Sequence, residues 1–523
     1  MKSYKSHLID TKSYGENLNS DYRPVMRSSA AFPLIHRPKK LTSFYTFMGY
    51  WLRKRKINLV TVLATIRSAD GKKIALKSIE VDSIRSYLIS SSDILEDPSS
   101  DFIGSIEIEV FSAVDMVFPY PAITFGIKGT NGLTFVHTCG RIYNGFEDMK
   151  SNSEQQVPET GFDIYNGESF SPFFSFVNGP LAIQNKHIEL EYYDINGYKI
   201  SKKQKIKDVE PYGLGWIELN EEENNIDNKN IFRTCVKIKH DFKGFFPRFV
   251  AGNVLRDYED ISLTHSYYDT SVDKSKDAIW KNPSSKDFYD SVVSVPFDSY
   301  FSDIELAVYP NFVYAPTNLI FELYSSSGEF IDKSEKIIEV ANYDEKLLHI
   351  SLHKIFSSHK NNIVNGMVKI ICNAVGQIPA RMKFGLNFIR SKDKTNLPSN
   401  ICFNAHVANE KLLNKSNSFL WCPIFAPSNQ KIFLHNTSFT KYKFNDAEIN
   451  IEVYRERDNE ILEWNIQIPY NGTTEIIGPM TEKIIEFLEK DSGWVSFSCN
   501  SPFIKGFYIT DFDKGVIGAD HLY

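Results

Sequence analysis

His187-Ile188-Glu189-Leu190-Glu191-Tyr192-Tyr193, running into Asn196-Gly197, alternates apolar and polar residues with a period of two. That period places successive side chains on opposite faces of a strand, one buried and one wet. Asn-Gly after such a run signals a hairpin, because a tight two-residue turn needs positive φ at both central positions. The same phrase recurs from Leu59 to Ile66 before Asp70-Gly71, from Leu319 to Tyr324 before Ser327-Gly328, and from Ile449 to Tyr454 before Asp458-Asn459.

Outward from each hairpin the four stretches continue alike. A second strand signal follows at Tyr87-Leu88-Ile89, Trp216 to Leu219, Leu348 to Leu352 and Glu475-Ile476-Ile477. A third comes at Ile106 to Val110, Cys235 to Ile238, Val368 to Ile371 and Trp494 to Ser498. Then come a proline (Pro121, Pro247, Pro379, Pro502), a glycine (Gly126, Gly252, Gly385, Gly506) and a histidine (His137, His265, His406, His521). Short strands at regular spacing with turn signals between them predict sandwiches or barrels, and self-similarity at this scale predicts one domain type used repeatedly.

The expectation is therefore an all-β chain, a tandem array of four β-sandwich domains with few short helices. The boundaries fall at 41–146, 161–272, 287–407 and 419–523, after an N-terminal arm over 1–40 that shows no sustained period. The linkers between them are rich in Lys, Ser, Asn, Asp or Glu. Aromatic residues make up 14% of the 523, with 39 Phe and 27 Tyr, a composition that suits pleated, half-buried surfaces. Thr481 to Lys490 is the best helical stretch, with Thr481 expected as its N-cap.

Gly493-Trp494-Val495-Ser496-Phe497-Ser498-Cys499-Asn500-Ser501-Pro502-Phe503-Ile504 is a strand ending in Pro and leading into a further strand. In this it resembles the sensory rhodopsin transducer type of β-sandwich, here in four tandem copies. The resemblance implies small all-β binding modules.

A net charge of −6 speaks against a nucleic-acid partner, which usually meets a basic excess. No run reaches the roughly 18 apolar residues of a membrane span, and the N-terminus lacks the apolar core of a secretory signal. The expected compartment is the cytoplasm. Six cysteines without CxxC spacing read as small apolar core residues.

The four closing histidines are the leading candidates for ligand contact, joined by Tyr267 and Tyr268 beside His265 and by Trp51. Trp51 adjoins the basic cluster Arg53-Lys54-Arg55-Lys56, an arrangement suited to stacking on a glycan or to guarding a strand edge. Each histidine has a simpler reading as a hydrogen-bonded strand end. One histidine per repeat gives one ligand per site, zinc needs three or four, and separate domains hold equivalent positions about 25–40 Å apart. On that reasoning no metal, no catalytic residue and no cofactor is expected. His349 and His353 share the polar face of a strand. The acidic loops at Asp257 to Asp260 and Asp511 to Gly515 read as ordinary turns.

Motifs for nucleophilic, phosphate-binding or dinucleotide chemistry are missing. The functional expectation is a non-enzymatic binding or assembly protein, its ligand a glycan or another protein. The alternative is a glycan-processing or polysaccharide-biosynthesis enzyme with its active site between repeats.

Overall fold

The computed structural model describes residues 25–118, 120–137, 140–143, 159–165, 170–219, 233–255, 260–267, 279–280, 289–309, 317–340, 346–374, 378–379, 383–390, 397–407, 416–438, 445–512 and 515–523. Strands dominate, and the fold is all-β. The helices are short: Tyr50–Arg55, Ser91–Ile94, Leu352–Ile355 and Thr481–Leu488 among the described residues. None of these is long and apolar enough to cross a membrane.

The first stretch holds β1 (Arg27–Arg37), β2 (Leu41–Met48), β3 (Val60–Ser68), β4 (Lys73–Val81), β5 (Ser86–Ser90), β6 (Phe102–Phe111), β7 (Thr124–Lys128) and β8 (Leu133–His137). They pair in the order β4-β3-β6-β1-β2-β7-β8, with β5 also on β2. Strand β1 meets β2 only through His36 and Arg37. The sheet thus divides into a half β4-β3-β6-β1 and a half β5-β2-β7-β8.

Both orders recur along the chain. The second stretch pairs Lys199–Lys205, His187–Asp194, Arg233–Lys239 and Glu159–Tyr165 in one sheet. Its other sheet runs Leu214–Glu218, Phe170–Val177, Val250–Leu255 and Ile261–His265. In the third, Phe330–Lys333, Thr317–Tyr324, Gly366–Ala374 and Tyr289–Phe297 face Leu348–Ser351, Asp303–Val308, Lys383–Ile389 and Ile401–Asn404. The fourth has Ile461–Ile468, Ala447–Arg455, Gly493–Cys499 and Ser418–Ile424 beside Thr473–Glu475, Gln430–Asn436, Ile504–Thr510 and Gly518–His521.

The hairpins sit where the alternation places them, but their turns differ from the two-residue type expected. Gly71 N–H bonds Ser68 O while Ser68 N–H bonds Lys72 O, and the same pair of bonds closes Asp194 to Tyr198 and Ser325 to Glu329. Only the glycines lie in the left-handed region (φ +84°, +84° and +82° at Gly71, Gly197 and Gly328). These are three-residue loops, a turn followed by one left-handed glycine, so one special position suffices instead of two.

The turns also join neighbours. Leu214 N–H bonds Ala69 O, Leu347 N–H bonds Asp194 O, and Thr473 N–H bonds Ser326 O. Each links a hairpin to the residues that open the short edge strand of the next sheet pair. The series closes on itself, because Arg85, just before β5, donates through Nη1 to Glu456 O in the fourth hairpin at 2.7 Å. The four sheet pairs therefore form a ring.

First and fourth pairs meet over a wide face. Trp494 Nε1 donates to Thr46 Oγ1 at 2.7 Å, both buried. Tyr50 stacks on Trp421 at 5.6 Å, and Phe135 stacks on Tyr508 at 4.6 Å. The basic cluster belongs to this face: Arg53 pairs with Glu452 at 2.7 Å, and Lys54 lies over Phe419 and Trp421. These contacts seat it against the fourth pair, where Phe419 and Trp421 lie on the edge strand Ser418–Ile424. Hydrophobic packing is continuous across the joints, with Phe173, Leu263, Trp421 and Trp494 in the core of the first pair.

Several other expectations are corrected. Residues 27–37, assigned to the arm, form β1. Its side chains are buried on both faces, so it shows none of the alternation that marks a half-exposed strand. Thr481 is the first helical residue rather than the cap, its hydroxyl donating back to Ile477 O at 3.0 Å. His353 lies in a helical turn, not on a strand face shared with His349. Cys235, Cys372, Cys402, Cys422 and Cys499 are buried. Cys139, and residues 1–24 of the arm, lie outside the described residues.

Candidate metal centre

The closing strands β8, Ile261–His265, Ile401–Asn404 and Gly518–His521 touch one another at the middle of the ring. Short bonds fix their approach. Thr134 Oγ1 donates to Ile261 O at 2.6 Å, and Thr510 Oγ1 donates to Leu133 O at 2.6 Å. Gly518 lies so close that a Cβ there would stand 2.2 Å from Leu133 O.

This closure brings three of the four histidines together. The His137 ring lies 4.4 Å from that of His521 and 4.8 Å from that of His265, edge to face in both cases. One donor atom from each falls within 4.8 Å of the others. The expectation that these residues stay a domain width apart is thus corrected, since it treated the sheet pairs as a row and they form a ring.

Register explains which histidines arrive. His137 and His265 sit opposite Thr124 and Val250, each two residues before the strand's glycine. In the third sheet pair that place opposite Lys383 belongs to Asn404. His406 lies two residues further on, in a bridge to Val292 of the other sheet, and its side chain is outside the described residues. His521 reaches the centre from a different register, opposite Phe507.

Each ring is held by Nδ1. His265 Nδ1 bonds Ser266 O at 3.0 Å, His521 Nδ1 bonds Leu522 O at 2.8 Å, and His137 Nδ1 bonds Asp520 Oδ2 at 2.8 Å. Carbonyl and carboxylate oxygens only accept, so each ring is the donor and carries its proton on Nδ1. The nitrogen left over on every ring is Nε2, with its lone pair. His265 is 2% exposed and its Nε2 has no hydrogen-bond partner.

Electrostatics disfavour the charged form of two of the rings, His265 and His521. Burial pushes His265 well below the usual imidazole range, and the charge of Arg248 and then His137 adds to the effect. Burial and His137 bring His521 down to about 4, against an opposing pull from Asp520. Burial works against ionised Asp520, but the His137 ring and its bonds outweigh that and hold the carboxyl below its usual range. Both Asp520 oxygens are committed: Oδ2 also accepts His137 N–H, and Oδ1 accepts His521 N–H, each at 2.8 Å. Tyr523 packs edge-on against His137 at 4.9 Å, its hydroxyl 2.6 Å from Thr124 Oγ1.

The other candidates lie elsewhere. Trp51 is 0% exposed, packed against Tyr50 and Phe47 inside the first sheet pair. Tyr267 is buried between the second and third pairs, stacked on Tyr309 at 4.4 Å. Tyr268 lies outside the described residues, as do 257–259 and 513–514 of the acidic loops. Asp520 escaped the sequence reading as a member of this site. Its carboxylate bonds the N–H of its neighbour His521 and also holds the ring of His137, 383 residues away.

No known protein family matches this chain, and no curated protein matches it.

Proposed function

We propose that this is a metal-binding protein, a ring of four sheet pairs whose three-histidine centre holds one divalent transition ion, zinc in the first instance. One observation carries the reading: a ring nitrogen of each of the three histidines lies within 4.8 Å of the others, and their Nδ1 protons are already spent on oxygen acceptors, which leaves Nε2 to bind. Three acceptors facing one another without a donor repel, and a buried acceptor left unsatisfied costs about 1–3 kcal/mol. A cation between them removes both penalties. A proton is a poor substitute, because burial disfavours the charged form of His265 and His521.

The surroundings follow the pattern of metal-bound histidines, whose second ring nitrogen is oriented by a carboxylate or backbone carbonyl. Imidazole donors suit zinc, copper, iron and nickel, and they bind zinc at about 2.0–2.1 Å. The binding or assembly role expected from sequence takes a specific form here, with the ion tying the first, second and fourth sheet pairs.

The test is elemental analysis of protein purified without chelators, followed by zinc titration against a colorimetric chelator. One ion per chain, lost in His265→Ala and His137→Ala variants that still show a β-rich circular dichroism spectrum, is the expected result. Protein that takes up no zinc, nickel, copper or iron overturns the proposal.

A further inference from the structure

Resting on the metal reading, we infer that the centre is of the open kind, with three protein nitrogens and a fourth position that takes water or a small anion from solvent. The donor set gives the first argument. Among the described residues no further histidine, cysteine or carboxylate groups with His137, His265 and His521. The carboxylate at hand, Asp520, has both oxygens engaged by His137 and His521, so it stands behind the ligands rather than on the ion. Closed structural zinc sites use four protein ligands, and three with one exchangeable position is the arrangement of sites that meet solvent or substrate.

Charge gives the second argument. Three neutral imidazoles leave a divalent ion its full charge, and one outer carboxylate offsets half of it. The positive charge that remains favours an anion at the fourth position, as bound metal charge lowers the cost of hydroxide there. Access gives the third. His265 is sealed at 2% exposure, whereas the His137 side chain keeps 15%. The path to the ion therefore runs past His137 and the partly exposed His521.

Cobalt(II) and azide are the probes. The full chain is stripped with a chelator, loaded with cobalt(II), and titrated with azide while the visible bands are followed. A saturable change in band position and intensity is expected. Cobalt protein whose bands ignore azide overturns this inference and leaves the metal reading standing. A chain that takes up no cobalt overturns both.

Discussion

His137 gives two hydrogens to a single oxygen: its backbone N–H and its ring Nδ1–H both reach Asp520 Oδ2 at 2.8 Å. The carboxylate fixes the ring's tautomer and its direction together. Asp520→Asn keeps the shape and removes the charge, so zinc affinity should fall by about 10–100-fold, the usual cost of losing such an outer partner. Competition against a chelator of known affinity measures it. Unchanged affinity would mean that the His137 ring is oriented by packing alone.

Zinc should also stabilise the fold, because its ligands come from three sheet pairs. An ion that binds only the folded chain adds about 2.7 kcal/mol at a hundredfold excess over Kd. Thermal melts should therefore rise with added zinc and fall with chelator, and His265→Ala should abolish both responses. A melt indifferent to zinc in the parent protein would refute the linkage.

The turn glycines should separate local strain from contact across the ring. A β-branched residue in the left-handed region costs about 1–2 kcal/mol, which sets the effect of Gly197→Val. There the nearest atom to an added Cβ is Lys346 Cβ at 3.7 Å. At Gly71 a Cβ would stand 2.1 Å from Pro211 O of the second sheet pair, so Gly71→Val should cost clearly more. Asn459→Val, exposed and outside the positive-φ set, should cost least. Urea melts of the three variants give the ranking, and equal losses at Gly71 and Gly197 would contradict the docked hairpin.

His435 should govern part of the acid stability. Its ring is fully buried with neither nitrogen hydrogen-bonded, and burial, then the nearby Lys505 charge, push it down to about 3. The unfolded chain takes up this proton near pH 6.5 and the folded chain does so only near pH 3, so protonation favours unfolding across that interval. Stability is fully present above about pH 6.5 and declines as pH falls, with a slope of up to about 1.4 kcal/mol per pH unit from this residue. His240, brought down to about 4 by burial, adds in the same direction. His435→Phe should flatten the decline without weakening the protein at neutral pH. Denaturant melts of metal-free protein across the range decide it, and parallel curves would exclude His435.

Much of the strand pattern could be read from sequence, because a sheet with one wet face writes its period into the chain. His187 to Tyr193 and Ile449 to Tyr454 lie in strands paired in hairpins as read. β1 could not be found that way, since a strand buried on both faces carries no alternation. The histidines were singled out, but not their meeting. That depends on bonds such as Leu214 N–H to Ala69 O and Arg85 to Glu456 O, which leave no periodic trace and act between stretches that are far apart in sequence. Trp51 and Tyr267 show the same gap from the other side: an aromatic residue reads alike whether it faces solvent or fills a joint.

The closure of the first sheet pair onto the fourth carries a consequence for biosynthesis. His137 and its carboxylate partner are separated by 383 residues, a stretch that a ribosome takes roughly 20–80 s to make. Until the fourth pair emerges, the nascent chain presents the open flank of β2 and the Tyr50–Arg55 helix, with Tyr50 and Thr46 lacking Trp421 and Trp494. On the proposed metal reading, ion capture is the last event of maturation, and a loaded centre certifies that the ring has shut.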